Sequence, residues 1–153
     1  MRLPHEVLVF LHRRLGDESE PEFLVLHRTP RYESYWHVVA GALEVGETAA
    51  EAAVREVWEE TALDVRGSLR ELERRYVYPL SEEAPEVRAR FDPDVQAVTV
   101  ECFAAEAPAE WRPRLNDEHD AFRWCSADEA LALLRWPDTH EVLRALSLEW
   151  TSA

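Results

Sequence analysis

Residues 41–63 read GALEVGETAAEAAVREVWEETAL. They predict a helix from about Thr48 to Ala62, because Thr48 followed three positions later by Glu51 is the capping-box pattern that begins many helices. Small and apolar residues recur along this helix at helical spacing: Ala50, Val54, Val57 and Thr61. That spacing predicts one stripe of side chains packed against a core.

Three glutamates in the same helix stand three and four positions apart. Glu56, Glu59 and Glu60 are therefore predicted to project from one face within a single turn, about 5.4 Å of rise. Like charges this close destabilise a helix unless a positive charge lies among them. A hard divalent cation such as Mg²⁺ prefers carboxylate oxygens, and Arg55 can orient a carboxylate through two parallel hydrogen bonds. The alternative is a solvated acidic face with no ligand.

The wider spacing resembles the signature of the Nudix hydrolases, G-x5-E-x7-R-E-U-x-E-E-x-G-U, in which U is bulky and apolar. Gly41, Glu47 and the run REVWEE that begins at Arg55 match it, and Leu63 supplies the last apolar position. The one departure is Ala62, where the pattern has glycine. Alanine there costs about 1 kcal/mol if the helix keeps a left-handed exit.

This resemblance implies an α/β fold in which a mixed sheet lies between helices in an α/β/α arrangement, with residues 1–153 forming a single Nudix domain. It also implies an enzyme, a pyrophosphohydrolase that cleaves a diphosphate linkage by attack of water on phosphorus. The bound metal would position that water and lower its pKa.

The resemblance also implies roles for the motif residues. Glu56, Glu59 and Glu60 would bind Mg²⁺ or Mn²⁺, and Glu59 would also serve in catalysis. The carbonyl of Gly41 would help to hold the metal. Arg55 would orient the cluster, while Glu47, at the helix entrance, would be structural or a secondary contact.

A further carboxylate from outside the helix is often a metal ligand or a general base in this family. Glu118 is the candidate here, because EHDAFRW resembles the E-H-x-x-x-[RK]-W segment found late in several Nudix subgroups. Its alternative is a loop acid at the start of a strand. His119 is a second candidate, although a lone loop histidine is more often a surface residue.

The motif entrance, YWHVVAGALEVGE, resembles that of bacterial dihydroneopterin triphosphate pyrophosphatases, F-W-x-x-x-T-G-x-x-E-x-G-E. That subgroup also carries an L-x-R segment, matched by Leu26-His27-Arg28. Its members release pyrophosphate from pterin or nucleoside triphosphates. Arg28 is then a candidate phosphate contact, with pairing to a nearby acid as the alternative. Trp36 is a candidate for stacking on a base or pterin ring, with core packing as its alternative.

Other functions remain open from the sequence. The substrate is alternatively another nucleoside diphosphate derivative, such as a dinucleoside polyphosphate or ADP-ribose. A non-catalytic Nudix module that binds a nucleotide is the remaining possibility, although crowded carboxylates count against it. Many members of the family are dimers, so a homodimer is also open.

Alternating and apolar runs outside the motif predict strands at 7–13, 23–28, 37–42, 69–80 and 95–104, and one more just after Glu118. Tyr76 and Tyr78 share one side of their strand, and either the core or a pocket fits that side. Residues 81–94 are expected to form a long surface loop. Two helices are predicted, one capped by Ser126 and Glu129 and one after the break at Pro137.

The composition restricts the partners. The 153 residues hold 31 acidic and 17 basic side chains, a net charge of −14, which argues against binding nucleic acid or an anionic membrane surface. Cys102 and Cys125 form no metal-binding motif and are expected to be free thiols in a reducing compartment. No apolar run is long enough to span a membrane. These features predict a soluble cytoplasmic protein, and the Nudix resemblance implies a small-molecule substrate.

Overall fold

The protein is described over residues 1–151 by a computed structural model, and within that range seven strands form one mixed sheet. The path through the sheet is β3-β2-β1-β6-β5, with β4 paired to β1 and β7 paired to β2. The strand bounds are β1 His5–Arg13, β2 Glu22–Arg28, β3 Trp36–His37, β4 Val39–Ala42, β5 Arg70–Pro79, β6 Ala97–Glu106 and β7 His119–Cys125.

Strand β1 lies at the centre and changes its partner along its length. It runs parallel to β6, and on its other side it pairs antiparallel with β4 over Glu6–Val9 and with β2 at His12 and Arg13. The sheet therefore forks where β4 and β2 separate. This fork positions the cleft described below.

The helices are α1 Ala49–Thr61, α2 Pro85–Arg88, α3 Ala127–Leu133 and α4 Pro137–Thr151. Side chains of β1 alternate between two buried clusters. Val7, Val9 and Leu11 belong to the cluster beneath α1, while Leu8 and Phe10 belong to the cluster shared with α3 and α4. Burying such a side chain contributes about 1.5–3 kcal/mol. Helices thus cover both faces, which confirms the predicted α/β/α arrangement.

Helix α1 begins and ends as predicted. The Thr48 hydroxyl accepts a hydrogen bond from the Glu51 N–H at 3.1 Å, and the Glu51 carboxylate accepts one from the Thr48 N–H at 2.9 Å. At the other end Ala62 has a φ of 65°, so it adopts the left-handed conformation predicted for the position where the pattern has glycine.

The predicted apolar stripe of α1 is wrong in part. Ala50 is exposed and Val54 is only half-buried, whereas the buried residues are Ala52, Ala53, Glu56, Val57, Glu60 and Thr61. Val54 still packs against the cluster beneath α1, but the helix is rotated so that Glu56 and Glu60 are buried more deeply than Ala50 and Val54. Hydrophobic spacing could not show this rotation, because it treats every glutamate as an outward residue.

Three other expectations can be compared with the structure. The capping box of α3 at Ser126 and Glu129 is confirmed. The predicted loop 81–94 instead contains α2 and part of a short 3-10 turn, Leu80–Glu82. Cys102 and Cys125 are buried free thiols.

Within residues 1–151, no helix combines the length and the apolar character needed to cross a membrane.

Candidate active site

The centre of the site is a group of three side chains from two elements. Glu60 of α1, Glu118 and His119 each offer one ligand atom, and these atoms lie within 4.8 Å of one another. Glu60 is only 1% exposed, and its Oε1 lies 3.7 Å from His119 Nε2. Among the described residues, neither oxygen of Glu60 and neither ring nitrogen of His119 has a hydrogen-bond partner.

Leaving a buried polar group unpartnered costs about 1–3 kcal/mol, so this group is suited to an external ligand. Two carboxylates are the donors that Mg²⁺ and Mn²⁺ prefer, and these ions complete their coordination with water. The donor set therefore fits the metal that the motif predicts.

The electrostatics of the group also favour a cation. Burial raises the pKa of Glu60 well above its usual range, and the neighbouring Glu56 and Glu118 raise it further. Burial, with a contribution from Arg28, lowers the pKa of His119 to about 4. His119 is therefore neutral near pH 7. A divalent cation would offset the desolvation of Glu60 and favour its ionised form.

Gly41 packs directly against Glu56. A Cβ atom at position 41 would lie 2.1 Å from the carboxyl carbon of Glu56, so no other residue fits without displacing that carboxylate. The pairing of Gly41 with Val7 fixes this position on the sheet. The glycine is thus required for close approach, not for an unusual backbone angle.

Arg55 joins the entrance of the helix to its acidic face. Its Nε and Nη2 donate to the two oxygens of Glu47 at 2.8 and 2.9 Å, and its Nη1 donates to Glu56 Oε1 at 2.8 Å. Nη2 also donates to the Ala42 carbonyl at 2.9 Å. This bonding lowers the pKa of Glu47. Arg55 therefore holds both Glu47 and Glu56 in place.

The third predicted glutamate lies apart from the group. The side chain of Glu59 is 49% exposed and lies 3.3 Å from Arg55 Nη1. Adjacent residues of a helix point about 100° apart, so Glu59 turns outward where Glu60 turns inward. Glu56 lies between them, because Arg55 Nη1 donates to both Glu56 and Glu59 and the Glu56 carboxyl interacts with that of Glu60.

A cleft of about 940 Å³ opens beside this group, and its lining includes Gly41, Glu56 and Glu118. Arg28 forms part of its wall, with its guanidinium 5.2 Å from the ring of Tyr32 and 5.5 Å from that of Tyr35. The Nε of Arg28 is buried and has no hydrogen-bond partner among the described residues. Arg28 is therefore placed where a phosphate oxygen could reach it.

Trp36 is placed elsewhere. Its ring packs against the cluster shared with α3 and α4 and edge-on to His27, with 5.0 Å between ring centroids. Its neighbours Tyr35 and His37 line the cleft instead. Successive strand residues point to opposite faces. Trp36 therefore packs in the core, the alternative to stacking on a substrate ring.

Two features depart from the expectations. His119, a second candidate with a surface position as its alternative, begins β7, pairs with Arg28 of β2 and is buried. Tyr76, Tyr78 and Glu6 line the cleft; the two tyrosines were left between core and pocket, and Glu6 belongs to no motif. Its sequence signal is a charge immediately before the apolar run Val7–Leu11.

Comparison with known proteins identifies the family. A NUDIX domain model matches residues 4–146. The chain is 35% identical over 129 residues to an octanoyltransferase of Myxococcus xanthus, a match covering 84% of this chain and 33% of that protein. It is also 35% identical over 104 residues to the dihydroneopterin triphosphate diphosphatase of Escherichia coli K12, covering 66% of this chain and 67% of that one.

Among solved structures, the E. coli dihydroneopterin triphosphate pyrophosphohydrolase matches with a TM-score of 0.79 and 27% identity, and the match covers 97% of both chains. The chain belongs to the Nudix family, as its motif predicted. It spans only about a third of the octanoyltransferase that it matches. Enzymes of this family generally use a divalent metal.

Proposed function

We propose that this enzyme hydrolyses a nucleoside or pterin triphosphate with Mg²⁺ or Mn²⁺, releasing pyrophosphate and the monophosphate. The observation that carries the proposal is the group of Glu60, Glu118 and His119 beside a large cleft, in which the buried polar atoms of Glu60 and His119 have no hydrogen-bond partner among the described residues. A substrate phosphate bridged by metal to these side chains would give those atoms a ligand.

In this proposal Glu60 and Glu118 hold the metal, Glu118 also serves in catalysis, and His119 adds a neutral nitrogen. Glu56 of α1 and the carbonyl of Gly41 in β4 complete the set of metal ligands. The bound cation would neutralise phosphate charge and lower the pKa of the attacking water. Proton removal from that water falls to a carboxylate at the cleft.

Two motif residues act from the edge of the group. Arg55 positions Glu56 through its hydrogen bond at 2.8 Å. Glu59, which now bonds to Arg55, would join as a further metal ligand or as the base after rotation of its exposed side chain. The structure therefore supports a smaller role for Glu59 than for Glu60.

Arg28 supplies the positive charge for the phosphates. A planar guanidinium matches phosphate oxygens, and the tyrosines beside Arg28 limit its motion. With a net charge of −14, the chain needs such local positive charge to attract a polyanionic substrate. The same net charge favours a small substrate over nucleic acid, and we place the enzyme in the cytoplasm.

We propose pterin and nucleoside triphosphates as the substrates because two similar proteins, one compared by sequence and one by structure, are named for dihydroneopterin triphosphate. The structures of a C. elegans Ap4A hydrolase and of a Shewanella oneidensis NUDIX domain with ADP-ribose match at 20% and 12% identity, so they support the fold alone.

A substrate panel tests the proposal. Purified enzyme with Mg²⁺ or Mn²⁺ is assayed for pyrophosphate and phosphate release from dihydroneopterin triphosphate, the nucleoside triphosphates, ADP-ribose and diadenosine tetraphosphate. We expect pyrophosphate from triphosphates and no turnover after chelation. Faster turnover of ADP-ribose or of the tetraphosphate would overturn the substrate class, and undiminished turnover in chelator would overturn the metal.

A further inference from the structure

The cleft has a second end, lined by aromatic and apolar residues rather than by ligands for a metal. Tyr76 and Tyr78 of β5, Phe91 beyond α2, and Leu8 and Val100 of the sheet form its walls. Apolar walls of this kind suit the faces of a planar ring. The carboxylates of Glu6 on β1, Glu83 and Asp138 also line the cleft, and that of Glu6 is hydrogen-bonded to Tyr78.

Glu6 is fixed in place by two neighbours. The Tyr78 hydroxyl donates to Glu6 Oε1 at 2.8 Å, and the Nε and Nη2 of Arg2 donate to Glu6 Oε2 at 3.1 and 2.8 Å. Burial and the Glu6 charge raise the pKa of Tyr78, so its hydroxyl keeps the proton that it donates. The Arg2 charge compensates Glu6, which limits its repulsion of an anionic substrate.

These bonds leave two acceptors side by side. A carboxylate offers about four acceptor positions, two on each oxygen. The two bonds from Arg2 fill both positions on Oε2, and the bond from Tyr78 fills one position on Oε1. The Tyr78 oxygen also keeps a lone pair after donating its proton. Glu6 Oε1 and Tyr78 Oη therefore present two adjacent acceptors, 2.8 Å apart, toward the cleft.

The position of Glu6 connects this end to the metal group. In the register of β1 with β4, Glu6 pairs with Ala42, the residue after Gly41. Gly41 contacts Glu56, and the Ala42 carbonyl accepts a hydrogen bond from Arg55. A ring at Glu6 and phosphates at the acidic group would thus occupy one continuous cleft.

We propose that Glu6 and Tyr78 select the substrate by its ring, accepting hydrogen bonds from the ring N–H and the amino group of a 2-amino-4-oxopyrimidine edge. Guanine and pterins share this edge. Adenine presents a bare ring nitrogen there, which would face the Glu6 carboxylate without a proton between them. This inference rests on the proposed function for its reaction, but ring selection can be measured separately.

The first experiment compares kcat/KM for dihydroneopterin triphosphate, GTP, ITP and ATP. ITP retains the ring N–H and lacks the amino group. We expect kcat/KM for dihydroneopterin triphosphate and for GTP to exceed that for ATP by about tenfold or more, since a good two-bond contact discriminates by about 5- to 150-fold. The value for ITP should lie between those for GTP and ATP. Equal values for GTP and ATP would overturn the inference.

The variant Glu6→Gln replaces one acceptor by a donor. We expect it to lose about tenfold in kcat/KM for GTP and the pterin substrate, mainly through KM, with ATP changed by less than about threefold. Glu101→Gln is the matched control, because Glu101 is a similarly buried strand carboxylate held by Arg75 at 2.9 Å and by His5, and it does not line the cleft. An equal loss for all substrates in Glu6→Gln would mean a structural role and overturn the inference.

Tyr78→Phe provides a second variant that leaves the carboxylate intact, should Glu6→Gln fail to fold. It removes one of the two acceptors, so we expect a smaller loss of kcat/KM for GTP and the pterin substrate than in Glu6→Gln, with little change for ATP and therefore a reduced ring preference. Unchanged ring preference in this variant would contradict the assignment of Tyr78.

Binding without turnover separates this inference from the proposed reaction. Neopterin, GMP and AMP are titrated into the wild-type enzyme in the presence of chelator, with neopterin fluorescence or calorimetry as the readout. Tighter binding of neopterin and GMP than of AMP supports ring selection even if no triphosphate is hydrolysed. Equal binding overturns it even if triphosphates are hydrolysed.

Discussion

The two ends of the cleft differ in how their polar atoms are satisfied. At the acidic end, Glu60 and His119 are buried with polar atoms that have no partner among the described residues. At the ring end, the Glu6 carboxylate already accepts three hydrogen bonds from Arg2 and Tyr78. The acidic end is therefore stabilised by a ligand, while the ring end is organised before any ligand binds.

The largest effect is expected at the acidic end. Glu60→Gln should reduce turnover by at least about a hundredfold, because a metal ligand is lost. The same change should raise the melting temperature of the metal-free protein, because a neutral amide replaces a carboxyl whose ionised form is penalised by burial. Steady-state kinetics and thermal unfolding in chelator measure both. The exposed Glu73→Gln is the control, and equal turnover in the two variants would contradict the role of Glu60.

Glu118→Gln should have the next largest effect. We expect it to weaken Mn²⁺ binding by about 10- to 100-fold, in the range seen when metal coordination is perturbed. Calorimetric titration with Mn²⁺ checks this. Its neighbour Asp117 is exposed, so Asp117→Asn is a matched control that should bind Mn²⁺ like the wild type. Unaltered affinity in Glu118→Gln would remove this residue from the metal site.

Gly41→Ala tests the packing that connects the two ends. The added Cβ would lie 2.1 Å from the Glu56 carboxyl carbon, so we expect the free energy of unfolding to fall by about 1–3 kcal/mol and activity to fall with it. Urea denaturation measures the change. At Gly67 nothing lies within 4 Å of an added Cβ, and Gly67→Ala should have little effect. Similar results at both glycines would refute the close approach.

His37, which lines the cleft, should make the free energy of unfolding depend on pH. Burial lowers the pKa of His37 from 6.5 to about 3, so between these values the unfolded chain binds a proton that the folded chain does not. The free energy of unfolding should therefore fall as the pH drops, by at most about 1.4 kcal/mol per unit from this group. Denaturation from about pH 7 to about pH 5 should show a shallower slope for His37→Gln. A slope identical to that of the wild type would show that His37 is not buried as a neutral group.

The smallest effect is expected at the end of α1, away from the acidic oxygens. Ala62→Gly should stabilise the protein by up to about 1 kcal/mol, since glycine adopts a φ of 65° without steric cost. Turnover should not change. Ala50→Gly, at an exposed helical position, should instead destabilise by about 0.5–1 kcal/mol. Loss of stability in Ala62→Gly would contradict the left-handed helix end.

The sequence predicted the features that depend on local spacing. The apolar run of β1 and the capping box at Thr48 and Glu51 both describe short-range geometry, and the structure confirms both. The Nudix motif predicted the family for the same reason, since its glycine, arginine and glutamates lie within 23 residues.

The features that were missed depend on tertiary geometry. Helical spacing put Glu59 and Glu60 on one face, but the rotation of α1 against the sheet buries one and exposes the other. The pairing of β2 with β3 decides that Tyr35, and not Trp36, faces the cleft. The role of Glu6 could not be predicted, because its hydrogen-bond partner Tyr78 lies on β5, 72 positions away in the sequence.

The most direct test is a crystal structure of the enzyme with Mn²⁺ and an α,β-methylene triphosphate of guanosine, read by anomalous scattering from manganese. We predict an anomalous peak in contact with the oxygens of both Glu60 and Glu118, with a phosphate of the analogue on the same ion. Manganese bound only at exposed acids such as Glu59, with no peak at Glu60 and Glu118, would contradict the assignment of the active site.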